Sequence, residues 1–255
     1  MSLRVMTYNI LNGGERREAY IREVIQTAQP DVAVLQEVYS EELLKFLSRA
    51  LAMNYYIGSG NKKRRVALLS RLPVRAFTSF HPLFPVWRNF IEAEIEYEPN
   101  KTIRMIGVHP IASLGFPFEV WRLWEAKYIV RHARSRQNEP CIIAGDFNAI
   151  APGDRVWTAG MPGWLRWMIF LQGNRVYRFS LPAVLSAGFT DCFRFLNPGE
   201  DGFTLPPPHP NTRLDYIFVN AKMKAHLRTC RVVREPENVN HASDHYPVLA
   251  EFDLP

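Results

Sequence analysis

Cysteine is scarce in this chain: Cys141, Cys192 and Cys230 are the only three. An odd, widely spaced set builds no disulfide framework and matches no zinc-ligand spacing. Buried or idle thiols in a reducing compartment are expected instead. Long apolar runs are missing too, since no stretch approaches the roughly 18 residues that suggest a membrane span. The N-terminus has no charged region leading into an apolar one, so no secretory leader is read there and a cytoplasmic location is the default expectation. Met1-Ser2-Leu3 is given no functional weight. Disorder is excluded by composition, because hydrophobic residues make up 47% of the chain against 22% charged.

What is present is a core-forming sequence with a cationic bias. The formal net charge of +6 could steer polyanions, or an anionic membrane surface, toward a site. The 255 residues suit one large domain or two small ones. A single domain over residues 4–254 is the reading adopted.

Elements alternate in the first part of the chain. Residues 4–10 read as a strand entering the Asn12-Gly13-Gly14 loop, and residues 16–28 carry Ala19, Tyr20, Val24, Ile25 and Ala28 at helical spacing. A short apolar strand is expected at 31–36 and a second helix at 41–51. Then 66–70, 74–80, 90–97 and 102–109 follow one another with short turns, as in an antiparallel sheet. Helical spacing returns at 120–134 through Val120, Leu123, Trp124, Tyr128 and Ile129, followed by a buried strand at 140–145. Further strands are expected at 213–219, 227–233 and 246–252. Two loosely similar halves of mixed strands and helices suggest two sheets face to face with helices outside. Residues 151–185 are the least legible, with Trp157, Trp164, Trp167, Phe170, Tyr177 and Phe179. A substrate wall, a membrane-facing patch and core packing all suit such density; core and loop packing is the expectation, since aromatics usually pack inside.

Four short segments place acids, amides and imidazoles at strand ends: Thr7-Tyr8-Asn9, Gln36-Glu37-Val38, Gly145-Asp146-Phe147-Asn148 and Ser243-Asp244-His245. Glu37 ends the run Val32-Ala33-Val34-Leu35, where a carboxylate is costly unless paired or bound to a cation. The bland alternative is a Glu favoured at the start of the next helix. Asp146 and Asn148 would face one way if the strand continued, Asp146 taking a proton from water and Asn148 offering an amide to a phosphoryl oxygen. An Asx turn is the alternative. His245 needs a carboxylate to orient it, and Asp215 is the candidate. His109 could donate to developing phosphorane charge, or be a hydrogen-bonded structural histidine.

In order, Thr7-Tyr8-Asn9, Gln36-Glu37, Val108-His109, Gly145-Asp146-Phe147-Asn148, Arg213-Leu214-Asp215-Tyr216 and Ser243-Asp244-His245 resemble the endonuclease/exonuclease/phosphatase superfamily, also called deoxyribonuclease-I-like. The resemblance runs from Val5 to Phe252. It implies an α/β (α+β) four-layer sandwich, two face-to-face mixed β-sheets flanked by helices, with the site at one end. It also implies a divalent-metal-dependent phosphodiester hydrolase using Mg2+, or Mn2+. Glu37 would bind the metal with Asn9, beside Asp244. Asp146 would orient or deprotonate water, Asn148 would hold phosphate, and His245, oriented by Asp215, would stabilise the transition state or transfer a proton. His109 matches a second phosphate-contacting imidazole. Members that cut at abasic DNA typically carry a tyrosine there, which argues mildly against that branch. Pro110 after His109 is a further departure.

The run Lys62-Lys63-Arg64-Arg65 would lie near the site rim, with Lys63 and Arg65 as phosphate contacts, against a solvated hairpin loop as the bland alternative. Arg213 is another phosphate-contact candidate. Nucleic acid is the favoured substrate class on charge. Phospholipid or another small phosphoester competes because Trp164 to Phe170 suits an interface. A non-catalytic binding module is disfavoured by the intact acids and imidazoles.

Overall fold

The computed structural model describes residues 1–82 and 88–255. Twelve strands form two six-stranded sheets. The first holds β1 (Ser2–Asn9), β2 (Val32–Val38), β3 (Asn54–Ile57), β4 (Arg65–Ser70), β11 (Leu227–Val232) and β12 (Val248–Asp253), in the order β11-β12-β1-β2-β4-β3. The second holds β5 (Val74–Phe80), β6 (Phe90–Glu98), β7 (Lys101–Val108), β8 (Cys141–Asp146), β9 (Thr190–Asp191) and β10 (Asp215–Val219), in the order β5-β6-β7-β8-β10-β9. Each sheet has one parallel pair at its centre, β1–β2 and β7–β8, among antiparallel ones. The two mixed sheets face each other, as expected, and are flanked by α1 (Glu18–Ala28), α2 (Glu41–Leu51) and α3 (Phe116–Arg134).

Alternation explains the layers. Val5, Val32, Val34, Leu68, Ile91, Met105, Ile142 and Ile217 fill the space between the sheets. Their neighbours Met6, Ala33, Leu35 and Leu69 pack beneath α1 and α2, through Ile21, Val24, Leu44 and Leu47. Strands covered on both faces read as continuous apolar runs, which is why β2 and β8 were visible in the sequence. All three cysteines are buried and free.

Three details differ from the sequence reading. Residues 66–70 and 74–80 do not share one antiparallel sheet. The chain crosses from one sheet to the other at Arg71–Pro73, where Ser70 Oγ donates to Leu72 O. Helix α3 exists and buries Ile129 as expected, with Ala126, Val130 and Ala133, but its first half departs from the expected apolar face. Trp124 and Tyr128 are exposed, while Glu119, Arg122 and Glu125 are buried. Glu125 and Arg122 serve the loop after β7, Glu125 accepting from Ile111 N at 2.9 Å and Arg122 donating to Ile111 O and Ser113 O, while Glu119 accepts from Phe179 N and Ser180 N. The third difference is α4 (Gly163–Leu171), hidden in the segment expected to be core, whose Trp164, Trp167 and Phe170 are exposed. No helix among the described residues is long and apolar enough to cross a membrane.

Candidate active site

Topology brings the chemistry to one end of the sandwich. The central parallel pairs β1–β2 and β7–β8 leave Asn9, Glu37, His109 and Asp146 at their carboxyl ends. The antiparallel partners β10 and β12 begin at that same end, so Asp215 lies across from Asp146 in register and His245 lies just ahead of β12. Gly145 permits the close approach of β7 and β8, since a Cβ there would meet Val108 O at 2.1 Å.

Glu37 sits in a distortion. The β2–β4 register shifts between Leu35 and Val38, and Glu37 itself takes φ 61°. A left-handed glutamate is uncommon, and a bulge of this kind re-aims a side chain. Its Oε2 accepts from Asn12 N at 2.7 Å and its Oε1 from Asn9 Nδ2 at 3.2 Å. The Asn12 loop is shaped to allow this: Gly13 has φ 74°, and a Cβ there would lie 2.6 Å from the Tyr39 side chain.

Asn9 links two acids. Its Nδ2 also donates to Asp146 Oδ2 at 3.0 Å. Its Oδ1 accepts from Leu11 N at 3.0 Å, and a backbone N–H can only donate, so the amide orientation is fixed. Asn9 was expected as a metal ligand. Here its carbonyl is turned to Leu11, and its amide nitrogen spaces Glu37 and Asp146 apart.

Asp146 is the centre of the cluster. It is buried, and both imidazoles face its Oδ2: His109 Nε2 at 3.7 Å and His245 Nε2 at 3.9 Å. Burial raises its pKa. The Asp215 charge adds to this, while His245, His109 and the Asn148 amide pull the other way. Asn148 does not continue the strand; its φ is 50° and its N–H donates to Asp146 Oδ1 at 2.8 Å, an Asx turn. The expectation that strand geometry points both side chains one way is therefore corrected. Asn148 Nδ2 donates to Pro110 O at 3.2 Å, leaving its second hydrogen free to point into the site.

Asp215 Oδ2 accepts from His245 Nδ1 at 2.8 Å, the orienting contact expected for that imidazole. Burial disfavours the charged ring, but the Asp215 and Asp146 carboxylates outweigh it and push His245 up to about 10. Ser243 ties this segment to β1, its Oγ donating to Asn9 O at 2.6 Å and accepting from His245 N. His109 is the opposite case: burial pulls it down to about 4 against the Asp146 charge, and neither ring nitrogen has a hydrogen-bond partner among the described residues. Two imidazoles, one neutral and one charged, thus face one carboxylate. Asp244 is 42% exposed at the mouth, its Oδ1 3.9 Å from His245 Nε2.

The donor set suits a hard divalent cation. Glu37, Asp146, Asp215 and Asp244 supply oxygen, and among the described residues Asp215 Oδ1 is a buried acceptor without a hydrogen bond. Asp146, Asp215 and His245 offer ligand atoms all within 4.8 Å of one another. Of these, Asp215 and His245 are already bound to each other, and a protonated ring repels a cation, so the carboxylates are the better donors.

Two expected phosphate contacts lie elsewhere. Arg213 is 1% exposed and held between acids, with Nη2 2.6 Å from Asp191 Oδ2 and Nε 2.8 Å from Asp154 Oδ2. It braces β10 and cannot reach solvent. Arg65 donates to Val38 O and Tyr39 O, holding the end of β2 that carries Glu37. Lys63 is exposed in the turn Lys62–Arg64. The sequence reading missed Arg88. Its Nε and Nη1 are buried without a hydrogen-bond partner among the described residues. Burial and the Arg64 charge pull its pKa down to about 10, opposed by Glu125, Glu37 and Asp146. Only its charge, isolated in the largely apolar sequence from Leu83 to Ile91, could have marked it.

Residues 6–245 match the Endonuclease/Exonuclease/phosphatase family, and the chain belongs to it. It is a metal-dependent phosphodiester hydrolase of that family. Exodeoxyribonuclease III of Haemophilus influenzae is 24% identical over 98% of this chain and 100% of its own. Among solved structures, an AP endonuclease from Archaeoglobus fulgidus matches with a TM-score of 0.77 at 17% identity. It covers 99% of this chain and 100% of its own. The 3′ phosphatase NExo from Neisseria, bound to product DNA hairpin, matches with a TM-score of 0.74 at 23% identity over 99% and 100%.

Proposed function

We propose that this chain hydrolyses a phosphodiester by water attack, with Mg2+ held by Glu37 and the neighbouring carboxylate of Asp244. The observation that carries this is the convergence of both imidazoles and the Asn9 amide on Asp146 Oδ2. The ion would polarise a phosphoryl oxygen and offset the mutual repulsion of the acids. Asp146 takes the proton from the attacking water, its raised pKa making it a stronger base than an ordinary aspartate. His245, charged at neutral pH and held by Asp215, donates from Nε2 to the phosphoryl or leaving oxygen. Neutral His109 and the free hydrogen of Asn148 bind phosphate oxygens. Arg88 supplies the guanidinium charge that Arg213 cannot.

The direct test is turnover of a soluble chromogenic phosphodiester with magnesium and with a chelator. Hydrolysis in magnesium alone supports the reading, and metal-independent turnover opposes it. Arg88→Ala is expected to raise KM about tenfold with a smaller fall in kcat, as for a lost charge-assisted hydrogen bond of about 1.5–3 kcal/mol. An unchanged KM removes Arg88 from the site.

His245 also sets a pH limit. The group is competent while protonated, so rate falls as pH rises through its folded-state pKa, which stands near 10. Asp215→Asn removes the largest group raising that pKa, so the alkaline limb of log kcat moves to lower pH. A limb that stays in place or moves upward contradicts His245 as the proton donor.

Two substrate classes have support. Nucleic acid is supported by the DNA in the relatives' names and by the exposed cations at Lys62–Arg64. Lipid is supported by a specific observation, the outward-facing aromatics of α4.

A further inference from the structure

The exposed face of α4 is not accounted for by the active site. Trp164, Trp167, Phe170 and Leu171 recur at i, i+3, i+6 and i+7 and are each 60–65% exposed. Trp157 beside them is 57% exposed. The opposite side of the helix is anchored, with Ile169 buried and Leu165 lining a cavity. A soluble protein seldom leaves so many large apolar side chains together in water without a partner.

Two cavities flank the helix. One of about 400 Å3 is lined by Asn148 and Asp244 of the site and by Trp164 of α4. Its walls are mainly apolar, including Ile150, Met161, Leu165, Leu205 and Leu214. The other, of about 1010 Å3, carries Arg155, Arg166 and Arg178. Arg178 is committed to Ala151 O and Asp154 O, whereas Arg155 is well exposed. The aromatic face is therefore continuous with the active site on one side and bordered by cations on the other.

We propose that α4 and Trp157 seat the enzyme on an anionic lipid surface, and that its substrate is a lipid phosphodiester drawn from that surface through the apolar cavity. This rests on the phosphodiesterase reading above. Tryptophan and phenylalanine suit the interfacial region, and arginines at their margin complement acidic headgroups. The apolar cavity suits the glyceride or sphingoid side of a headgroup phosphodiester lying at Asp146. Water oxygen bonds to phosphorus and the phosphorus–oxygen ester bond breaks. The proton taken from water is balanced by one given to the leaving alkoxide, so the products are a phosphomonoester and an alcohol. Nucleic acid fits this side less well, since a polymer backbone calls for cations along its track, where this wall has Ile150, Met161 and Leu165, an Arg122 tied to Glu119, and one exposed arginine, Arg175. Base stacking needs flat ring faces, and Leu171 offers none.

The test compares the wild-type chain with the double variant Trp167→Ser, Phe170→Ser. Neither residue lines the cavity that Asn148 lines. Binding is read by sedimentation with phosphatidylcholine vesicles, with and without phosphatidylserine. Hydrolysis is read on sphingomyelin or phosphatidylcholine in those vesicles and, separately, on a soluble chromogenic diester. The wild type is expected to sediment with the phosphatidylserine vesicles and to hydrolyse a lipid phosphodiester in them. The variant is expected to lose about tenfold or more in vesicle binding and vesicle turnover while keeping soluble-diester turnover. Wild-type protein that stays in the supernatant overturns the proposal. So does single-stranded DNA binding, without vesicle binding, that the same variant abolishes. Failure on the soluble diester in magnesium would instead refute the phosphodiesterase reading, whatever the vesicles show.

Discussion

Asp146→Asn is expected to lower kcat on a soluble phosphodiester by about 1,000-fold at saturating magnesium, within the usual range for loss of a general base. The amide has the same shape and still accepts from the Asn148 N–H through its carbonyl oxygen. What it cannot do is take a proton from water. The substitution removes a buried charge lying across from Asp215, which offsets the hydrogen bond lost from Asn9 Nδ2, so the melting temperature should hold within a few degrees. That pairing of lost turnover with intact stability separates a chemical role from a structural one. A variant within tenfold of wild type, properly folded, would take Asp146 out of the proton transfer. Thermal denaturation beside steady-state kinetics reads both quantities.

The second large effect falls on stability. Arg213→Met is expected to destabilise the fold by about 3–5 kcal/mol, the usual cost of removing one partner from a buried ion pair. Both Asp154 and Asp191 lose a partner, and Asp154 retains Arg194 at 2.9 Å, so Asp191 bears most of the cost. The guanidinium also lies over the Tyr216 ring, 4.4 Å from its centroid. Urea denaturation gives the change directly. If stability is unaffected and KM alone rises, Arg213 returns to the phosphate-binding role that its position in the sequence suggested.

The contrast between Arg213 and Arg88 shows where sequence reasoning stopped. Arg213 stands inside a motif and Arg88 outside every one, yet the buried brace is Arg213, and Arg88 is the cation without a hydrogen bond at Nε and Nη1 among the described residues. The difference lies in Asp154 and Asp191, which are 59 and 22 residues away along the chain from Arg213. The two sheets were legible because strands covered on both faces need continuous apolar runs. The acids and imidazoles were legible because each ends or begins such a run. The hydrogen-bond pattern was not. That Asn9 turns its carbonyl to Leu11, and that Asn148 closes an Asx turn, depends on backbone donors whose direction composition does not encode. Helix α3 misled in part for a related reason: its apolar spacing marked Ile129 correctly but also the exposed Trp124 and Tyr128, while Glu119, Arg122 and Glu125 are buried because neighbouring segments need their backbone groups satisfied. In 151–185 the aromatics were expected inside, yet Trp157, Trp164, Trp167, Phe170 and Phe179 lie on the surface, where an exposed apolar face reads in sequence like a core helix.

The account turns on an acidic pocket that holds a divalent ion beside the phosphorus. Removing an outer-shell partner alone usually costs about 10–100-fold in metal affinity, so loss of a ligand carboxylate should cost at least as much. The measurement is the magnesium concentration for half-maximal hydrolysis of a soluble diester by wild type and by Glu37→Gln. A shift of about 100-fold or more to higher magnesium, with turnover abolished by chelator in both proteins, is the predicted result. Superimposable magnesium curves for the two proteins would contradict it.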